Sequence, residues 1–296
     1  MRHFRAATEY EKDFEAIMDK LCYTRQRWEA WESLIEAIAC SISNSTERNS
    51  ERRERREKQF SSAIARIGGA ELAAKAMGCI VGALEDNPDQ DFLGDMYMRM
   101  ELGNHYHGQF FTPYNLCEMT SMALLKDAGD MLERTGWLSV CDPAIGGGAM
   151  LIAAANNLKR MGINYQESVI FVGQDIDRIV GMMAYIQLSL LGCPGYICIA
   201  DTLVNPLTGP LLSPEERPDQ EFWYMPFFFT DVWEIRRRLK VMDAIFAMAP
   251  HRIEKIQVPP AKEEAETKEE PKKPKMKLKR TGMEGQVSIF DLMEGT

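Results

Sequence analysis

The spacing of apolar residues changes near residue 108 and divides the chain into two regions. Before that point apolar residues recur every three or four positions, the period of an amphipathic helix, as they do at Phe14, Ile17, Met18 and Leu21. Breaks in this pattern occur at the polar SNST and at the stop signal Asn87-Pro88. We therefore predict helices over residues 8–100.

Short apolar runs alternate with helical segments in the second region. The runs WLSVCDP, VIFVGQDID and GYICIAD are rich in β-branched and aromatic residues, and each carries an acidic residue at its end. The order strand, helix, strand, helix, strand is typical of an α/β fold with a parallel sheet. Because ligands bind beyond the carboxyl ends of such strands, Asp142, Asp175 and Asp201 are expected to lie at one edge of the sheet.

Composition limits the classes of protein that fit. The 296 residues are 45% hydrophobic. Their formal net charge is −9, whereas a protein that binds DNA without a partner normally has a basic surface. Either the basic residues are clustered locally, or a partner supplies much of the DNA affinity. No apolar run is long enough for a membrane span, and the N-terminus lacks a signal-peptide core. The seven cysteines form no CxxC pair, so we expect reduced thiols in a cytoplasmic protein. Their spacing does not suit a metal, so no metal site is expected.

Two basic clusters are candidate phosphate contacts. The first lies in a run of alternating charges and contains Arg52, Arg53, Arg55 and Arg56. The alternation favours a solvated helix face over a DNA contact. The second cluster follows the aromatic stretch EFWYMPFFF and contains Arg236, Arg237 and Arg238. Bases could stack on those aromatic rings, but a packed strand-to-helix connection with an exposed basic turn explains the stretch equally well.

The stretch CDPAIGGGAML, residues 141–151, joins the first strand to the helix that follows it. Its glycines let the backbone approach a ligand at the N-terminus of that helix, which would also suit a dinucleotide. The spacing is not GxGxxG, however, and an acid precedes the glycines, where it would repel a pyrophosphate and attract a cation. These residues favour S-adenosylmethionine, with Asp175 accepting from the ribose hydroxyls and Asp201 from the adenine amino group.

Four motifs in this region resemble those of adenine-N6 DNA methyltransferases of the type I restriction-modification methylation-subunit kind. GQFFTP at residues 108–113 looks like that family's signature, and DPAIGGGAML is similar to its DPACGSGGFL. GQDIDRIVGMMAYIQLSLLG is similar to the family's acid-bearing strand and the helix that follows it, and ADTL is similar to the family's GDTL. The resemblance covers about residues 90–205. It implies a Rossmann-like methyltransferase sheet that binds S-adenosylmethionine and acts on DNA.

The resemblance also implies which positions surround the cofactor. An aromatic wall beside the sulfonium would be formed by Phe111, Thr112 and Pro113. The methionine part would be surrounded by Asp142, Ala144, Gly146 and Gly148. The ribose and adenine would be held by Asp175, Ile176 and Asp201.

The family's catalytic motif, Asn-Pro-Pro-Phe or Asn-Pro-Pro-Tyr after a fourth strand, has no intact copy in the sequence. In the family it accepts hydrogen bonds from the target amino group and stacks on the flipped base. One remnant is Asn205-Pro206, which follows Asp201 with no strand between them. The rival is MDAIFAMAPH, where an apolar strand is predicted and the motif's place is taken by Met248, Pro250 and His251.

The C-terminal residues 254–296 are rich in charges and prolines, so we predict a disordered linker. It ends in an apolar peptide that resembles the QLSLF-type ligand of the bacterial β sliding clamp, with Gln286, Ile289 and Phe290 as its anchors. The predicted organisation is a helical domain over residues 1–105, a methyltransferase-like domain over 106–253, and the linker with its terminal peptide.

Three functions fit these patterns. The first is an S-adenosylmethionine-dependent methyltransferase that modifies the amino group of a flipped adenine in DNA. The second is a catalytically silent subunit of the same fold, which binds cofactor or DNA and is recruited to a partner such as a specificity subunit or the sliding clamp. The third is methylation of a protein or RNA by the same fold.

Overall fold

The computed structural model describes residues 7–102 and 111–248, and its first part is helical as predicted. Thr8 begins the first helix with a capping box, in which the Thr8 side chain accepts from the Glu11 amide and the Glu11 carboxylate accepts from the Thr8 amide. Gly68, with a φ of 81°, ends the third helix in the left-handed region. The five helices are α1 (Glu9–Cys22), α2 (Arg27–Thr46), α3 (Ser50–Ile67), α4 (Ala70–Asp86) and α5 (Phe92–Arg99).

The second part contains a four-stranded sheet in the order β1-β2-β3-β4. The first three strands pair in parallel and the fourth is antiparallel to the third; they are β1 (Leu138–Asp142), β2 (Val169–Asp175), β3 (Gly195–Ile199) and β4 (Glu221–Tyr224). The helices around them are α6 (Tyr114–Leu124), α7 (Ala128–Thr135), α8 (Ala149–Arg160), α9 (Tyr165–Ser168), α10 (Arg178–Leu190) and α11 (Asp231–Met248). Helices α8 and α10 connect the parallel strands, which confirms the predicted α/β fold class.

The prediction of an apolar strand at MDAIFAMAPH is wrong, because this stretch belongs to α11 up to Met248. Trp233, near the start of α11, is fully buried, and its indole donates to the carbonyl of Gln166 at 2.8 Å, which fixes the helix against the segment before β2. Alanine and methionine, which are frequent in the stretch, favour a helix over a strand. Within the described residues β1 therefore pairs only with β2.

The two faces of the sheet bury different side chains. One face, with Phe171 and Ile197, joins a large core that continues into the N-terminal helices through Trp31 and Leu34. The other face holds a cluster of aromatic rings, Tyr196, Phe222, Tyr224 and Phe228, beneath the start of α11. Because the larger core contains residues from both regions, the N-terminal helices pack against the second part of the chain, mainly through α10. The division into domains near residue 105 stays a prediction.

An ion-pair network joins α3 to the sheet. It corrects in part the expectation that the basic run of α3 is a solvated face, because two of its four arginines are paired within the protein and the other two are exposed. Arg56 is fully buried, pairs with Glu221 of β4, and lies 3.1 Å from the ring centre of Trp223. Arg178 of α10 also pairs with Glu221, at 2.9 Å, and with Glu36 of α2, at 2.8 Å. Burial alone would raise the pKa of Glu221, but the two guanidinium groups hold that pKa below its usual value.

Among residues 7–102 and 111–248, no single helix is long and apolar enough to cross a membrane. One pair, Ser50–Ile67 with Ala70–Asp86, reaches that length and composition only when its two helices are joined across a bend of 101°. The apolar α10 is shorter, with 13 residues, and its side chains are buried in the core.

Candidate cofactor site

Two glycines with positive φ shape the turn between β1 and α8. Gly146 has a φ of 57° and Gly148 a φ of 101°, conformations that residues with a side chain rarely adopt. A Cβ on Gly146 would lie 3.4 Å from the Phe111 ring, and one on Gly148 would lie 3.2 Å from the Cβ of Ala184 in α10. The first glycine therefore keeps the space beside Phe111 open, and the second lets α8 and α10 pack closely.

A cavity of about 360 Å³ lies against this turn, at the carboxyl ends of β1 and β2. Its wall contains six of the residues predicted to hold the cofactor: Phe111, Thr112, Asp142, Ala144, Gly146 and Asp175. Pockets for small molecules occupy roughly 300–1,000 Å³, so the cavity is large enough for much of a nucleoside ligand. Folding thus brings together parts of three motifs that are up to 64 positions apart in the sequence, from Phe111 to Asp175.

Two carboxylates at the strand ends line the cavity. Asp142 accepts a hydrogen bond from the amide of Ala144 at 3.0 Å. Asp175 accepts from the amides of Gly146 and Asp177, each at 2.9 Å, so it also fixes the glycine turn to β2. Burial raises the pKa of both carboxyl groups, and the amide hydrogen bonds offset only part of that effect. These acceptors suit the hydroxyl and cationic donors of a ligand.

The cavity wall also contains Asp91, which the sequence patterns did not single out as a site residue. Asp91 is 4% exposed and caps α5 by accepting from the amide of Gly94 at 2.9 Å. Its second carboxylate oxygen lies 3.1 Å from the position that a Cβ on Gly147 would occupy. An aspartate before a helix is the only local signal, and that signal predicts a cap rather than a site. Its place beneath the glycine turn comes from long-range packing.

Other residues predicted to bind the cofactor lie beside the cavity and not in its wall. Pro113 precedes α6 as its N-cap, and Gly148 packs against α10. Ile176 is 69% exposed at the end of β2. Asp201 accepts hydrogen bonds from two amides of the turn after β3, at 2.8 Å and 3.2 Å. Cofactor contacts by these residues stay predictions.

The residues predicted for catalysis are not brought to the cavity wall. Asn205 is 9% exposed, and its side-chain oxygen accepts from Gln220 at 3.0 Å. The carbonyl of Pro206 accepts from Arg217. The rival position begins at Met248, the last residue of α11, while Pro250 and His251 lie outside the described residues.

The fold and the site together define a protein that can hold a nucleoside-type ligand at the carboxyl edge of a parallel sheet. Residues 88–260 match the N-6 DNA methylase family, and because this match spans more than half of the chain, the chain belongs to that family. Membership confirms the family resemblance of the four sequence motifs.

Two solved structures are similar in part. One is a class I S-adenosylmethionine-dependent methyltransferase from Listeria monocytogenes, with 19% identity and a TM-score of 0.39 over 70% of this chain and 58% of that one. The other is a type I restriction-modification system methyltransferase subunit from Streptococcus thermophilus, with 14% identity and a TM-score of 0.35 over 66% of this chain and 59% of that one. The chain therefore spans less than two thirds of either protein. No curated protein matches it in sequence.

Proposed function

We propose that this chain binds S-adenosylmethionine and takes part in adenine-N6 methylation of DNA. The observation that carries the proposal is the cavity in which Phe111, Gly146 and Asp175 meet at the end of the parallel strands. Family membership supports methyl transfer to DNA. The choice of adenine and of a flipped base rests on the motif resemblance.

The residues present fit this cofactor. Asp175 offers carboxylate oxygens for the ribose hydroxyls, and Asp142 places negative charge at the mouth of the glycine turn. The Phe111 ring lies beside the bare Gly146 backbone, where an aromatic face favours a sulfonium cation. The bound cofactor would supply an electrophilic methyl group. The chain's own contribution would be to fix that group in position beside an incoming amine.

A second candidate, a catalytically silent subunit of the same fold, is favoured by the position of Asn205. Its side chain is bonded to Gln220 and lies outside the cavity wall, so it does not offer an acceptor to a target amino group in this arrangement. In that case the cofactor cavity would serve binding or assembly. Methyl transfer measured directly on DNA separates the two candidates.

We also propose that a partner supplies much of the DNA affinity. Most of the arginines that could contact phosphate are bonded within the protein: Arg52 pairs with Glu216 at 3.0 Å, and Arg56 is buried with Glu221. Arg53 and Arg55 are exposed on α3. Arg236 donates to two backbone carbonyls, one of them Gly136 at 3.1 Å. With a net charge of −9, the chain is poorly suited to hold DNA alone. A specificity or assembly subunit fits this need, as does recruitment by a sliding clamp through Gln286, Ile289 and Phe290, which lie outside the described residues.

The test combines calorimetry with a methyl-transfer assay. We expect the full chain to bind S-adenosylmethionine, and Asp175→Asn to weaken binding about 10- to 100-fold, as loss of charge-assisted hydrogen bonds does. The control Asp130→Asn changes an exposed residue of α7 and should leave binding unchanged. Transfer of labelled methyl groups to adenine in mixed-sequence DNA supports an active enzyme, and tight binding without transfer supports the silent subunit. A chain that does not bind the cofactor contradicts the proposed enzyme and leaves only a silent subunit that acts without cofactor.

A further inference from the structure

Asp91 is a buried acid in the wall of the cofactor cavity that the proposed chemistry has not used. It reaches the cavity from the N-terminal helical region, whereas Asp142 and Asp175 belong to the sheet. Its oxygen Oδ1 accepts from Gln187 at 2.7 Å and from the amide of Gly94 at 2.9 Å. These two hydrogen bonds hold the carboxylate in one orientation in the wall of the cavity.

Gln187 determines where this carboxylate lies. It is fully buried in α10, and besides Asp91 it donates to the carbonyl of Gly147 at 2.9 Å. Its own oxygen accepts from the amide of Leu93 at 3.0 Å. One side chain thus ties the start of α5 to the glycine turn, and the missing side chain of Gly147 allows Asp91 Oδ2 to come close to that turn.

Among the described residues, no positively charged side chain pairs with the Asp91 carboxylate. The described groups that act on the Asp91 carboxyl are Gln187, Gly94 and the acidic Asp95. A buried carboxylate is costly unless a cation or several donors compensate it. A cationic group of a ligand in the cavity would provide that compensation.

We propose that Asp91 binds the primary ammonium of an amino-acid moiety, which in S-adenosylmethionine is the α-ammonium of its methionine part. This inference rests on the proposed function, because it assigns one end of the same ligand. Asp175 then faces the ribose at the nucleoside end, and Asp91 joins Asp142 at the methionine end, beneath the glycine turn. The cavity thereby selects ligands that carry both a nucleoside and an ammonium group.

Affinities for three ligands distinguish the contribution of the ammonium group from those of the sulfonium group and the nucleoside. S-adenosylmethionine carries both cationic groups, S-adenosylhomocysteine keeps only the ammonium, and 5′-methylthioadenosine has neither. In titration calorimetry on the full chain, Asp91→Asn is expected to lower the affinity for the first two ligands equally, by about 10- to 100-fold. The affinity for 5′-methylthioadenosine should not change. The carboxamide is isosteric and its oxygen can still accept from Gln187, so binding of 5′-methylthioadenosine also reports that the site is folded.

The matched control is Asp89→Asn, two positions away. Asp89 accepts from Tyr114 at 3.0 Å and pairs with Arg160 at 2.7 Å, and it is not in the cavity wall, so all three affinities should stay the same. An equal loss for all three ligands in Asp91→Asn would assign Asp91 a structural role and overturn the inference. A loss confined to S-adenosylmethionine would overturn it in favour of a sulfonium contact, and no loss at all would also overturn it. Each of these results leaves the proposed function intact, whereas a wild-type chain that binds none of the ligands contradicts both.

Discussion

The side-chain amide of Gln187 lies 2.7 Å from Asp91 Oδ1, and this single hydrogen bond connects α10 with the N-cap of α5. The same amide group also reaches the glycine turn at Gly147. The helical region and the glycine turn are thus joined by hydrogen bonds next to the cofactor cavity, and not only through the shared apolar core. A change at this bond is expected to affect both stability and ligand binding.

Replacing Gln187 with Met should remove this connection at nearly constant volume. Its partners Asp91, Gly147 and Leu93 would each lose a hydrogen bond in a buried setting. An unsatisfied buried group costs about 1–3 kcal/mol, so we expect the free energy of unfolding in urea to fall by about 2–5 kcal/mol. Gln26→Met is the control, because Gln26 is exposed and its side chain makes no capping hydrogen bond. A loss under 1 kcal/mol for Gln187→Met would contradict the role given to this amide.

The pH dependence of stability should reveal the burial of Asp91, whose pKa burial raises to about 6 from 3.8. Because the folded value lies above the unfolded one, the stabilising contribution of this group is fully present below about pH 4 and is lost as pH rises through 6. Wild type should therefore lose roughly 2–3 kcal/mol of unfolding free energy relative to Asp91→Asn between pH 4 and 7. Burial also raises the pKa of Asp142 and Asp175, so the comparison is made as a difference between the two proteins at each pH. A constant difference would show that Asp91 titrates normally.

The ion-pair network between α3 and β4 should be sensitive to the loss of one partner. Glu221→Gln leaves the fully buried guanidinium of Arg56 without its carboxylate and removes a partner of Arg178. Leaving a buried charge unpaired costs about 3–5 kcal/mol, which urea unfolding would measure. The control is Glu71→Gln, in an exposed pair with Lys75, where no measurable change in stability is expected.

A double change distinguishes charge compensation from packing at the same place. If the cost of Glu221→Gln comes from the uncompensated charge, Arg56→Met with Glu221→Leu should be less destabilising than Glu221→Gln alone. If the double variant is the less stable one, the contact of Arg56 with the Trp223 ring, and not its charge, holds the two regions together.

Gly146 offers a way to test the cradle with little effect on folding. An alanine there would carry its Cβ 3.4 Å from the Phe111 ring, in a backbone conformation with a φ of 57°. We expect Gly146→Ala to lower the free energy of unfolding by about 1 kcal/mol. It should also lower the affinity for S-adenosylmethionine by at least about tenfold, because the alanine methyl group fills the open side of the turn. In Gly129→Ala, within α7, a Cβ meets nothing within 4 Å, so stability should rise slightly and affinity should not change. Equal affinities in the two variants would mean that the ligand does not approach Gly146.

The sequence predicts the parallel core of this fold well because its signals are local. The apolar runs that end in Asp142 and Asp175 are short and rich in β-branched and aromatic residues, and the glycines after the first run indicate the turn. Asp91 and Arg56 could not be assigned in this way, since their partners Gln187 and Glu221 lie 96 and 165 positions away. The stretch before Met248 misled the prediction because an isolated apolar run fits a strand and a helix alike. The helix that contains this stretch is fixed near its start, where the Trp233 indole donates to the carbonyl of Gln166.

The terminal peptide gives a prediction that does not depend on the cofactor site. If Gln286, Ile289 and Phe290 dock into a β sliding clamp, the full chain should co-elute with purified clamp, and Gln286→Ala with Phe290→Ala should abolish this. Burial of a phenylalanine contributes about 1.5–3 kcal/mol, so its loss alone should weaken a short peptide's affinity by roughly 10- to 100-fold. Ser288→Ala, within the same peptide, is the control and should still bind. Co-elution that survives the double substitution would show that the clamp is not held by this peptide, while S-adenosylmethionine affinity should be the same in all three proteins.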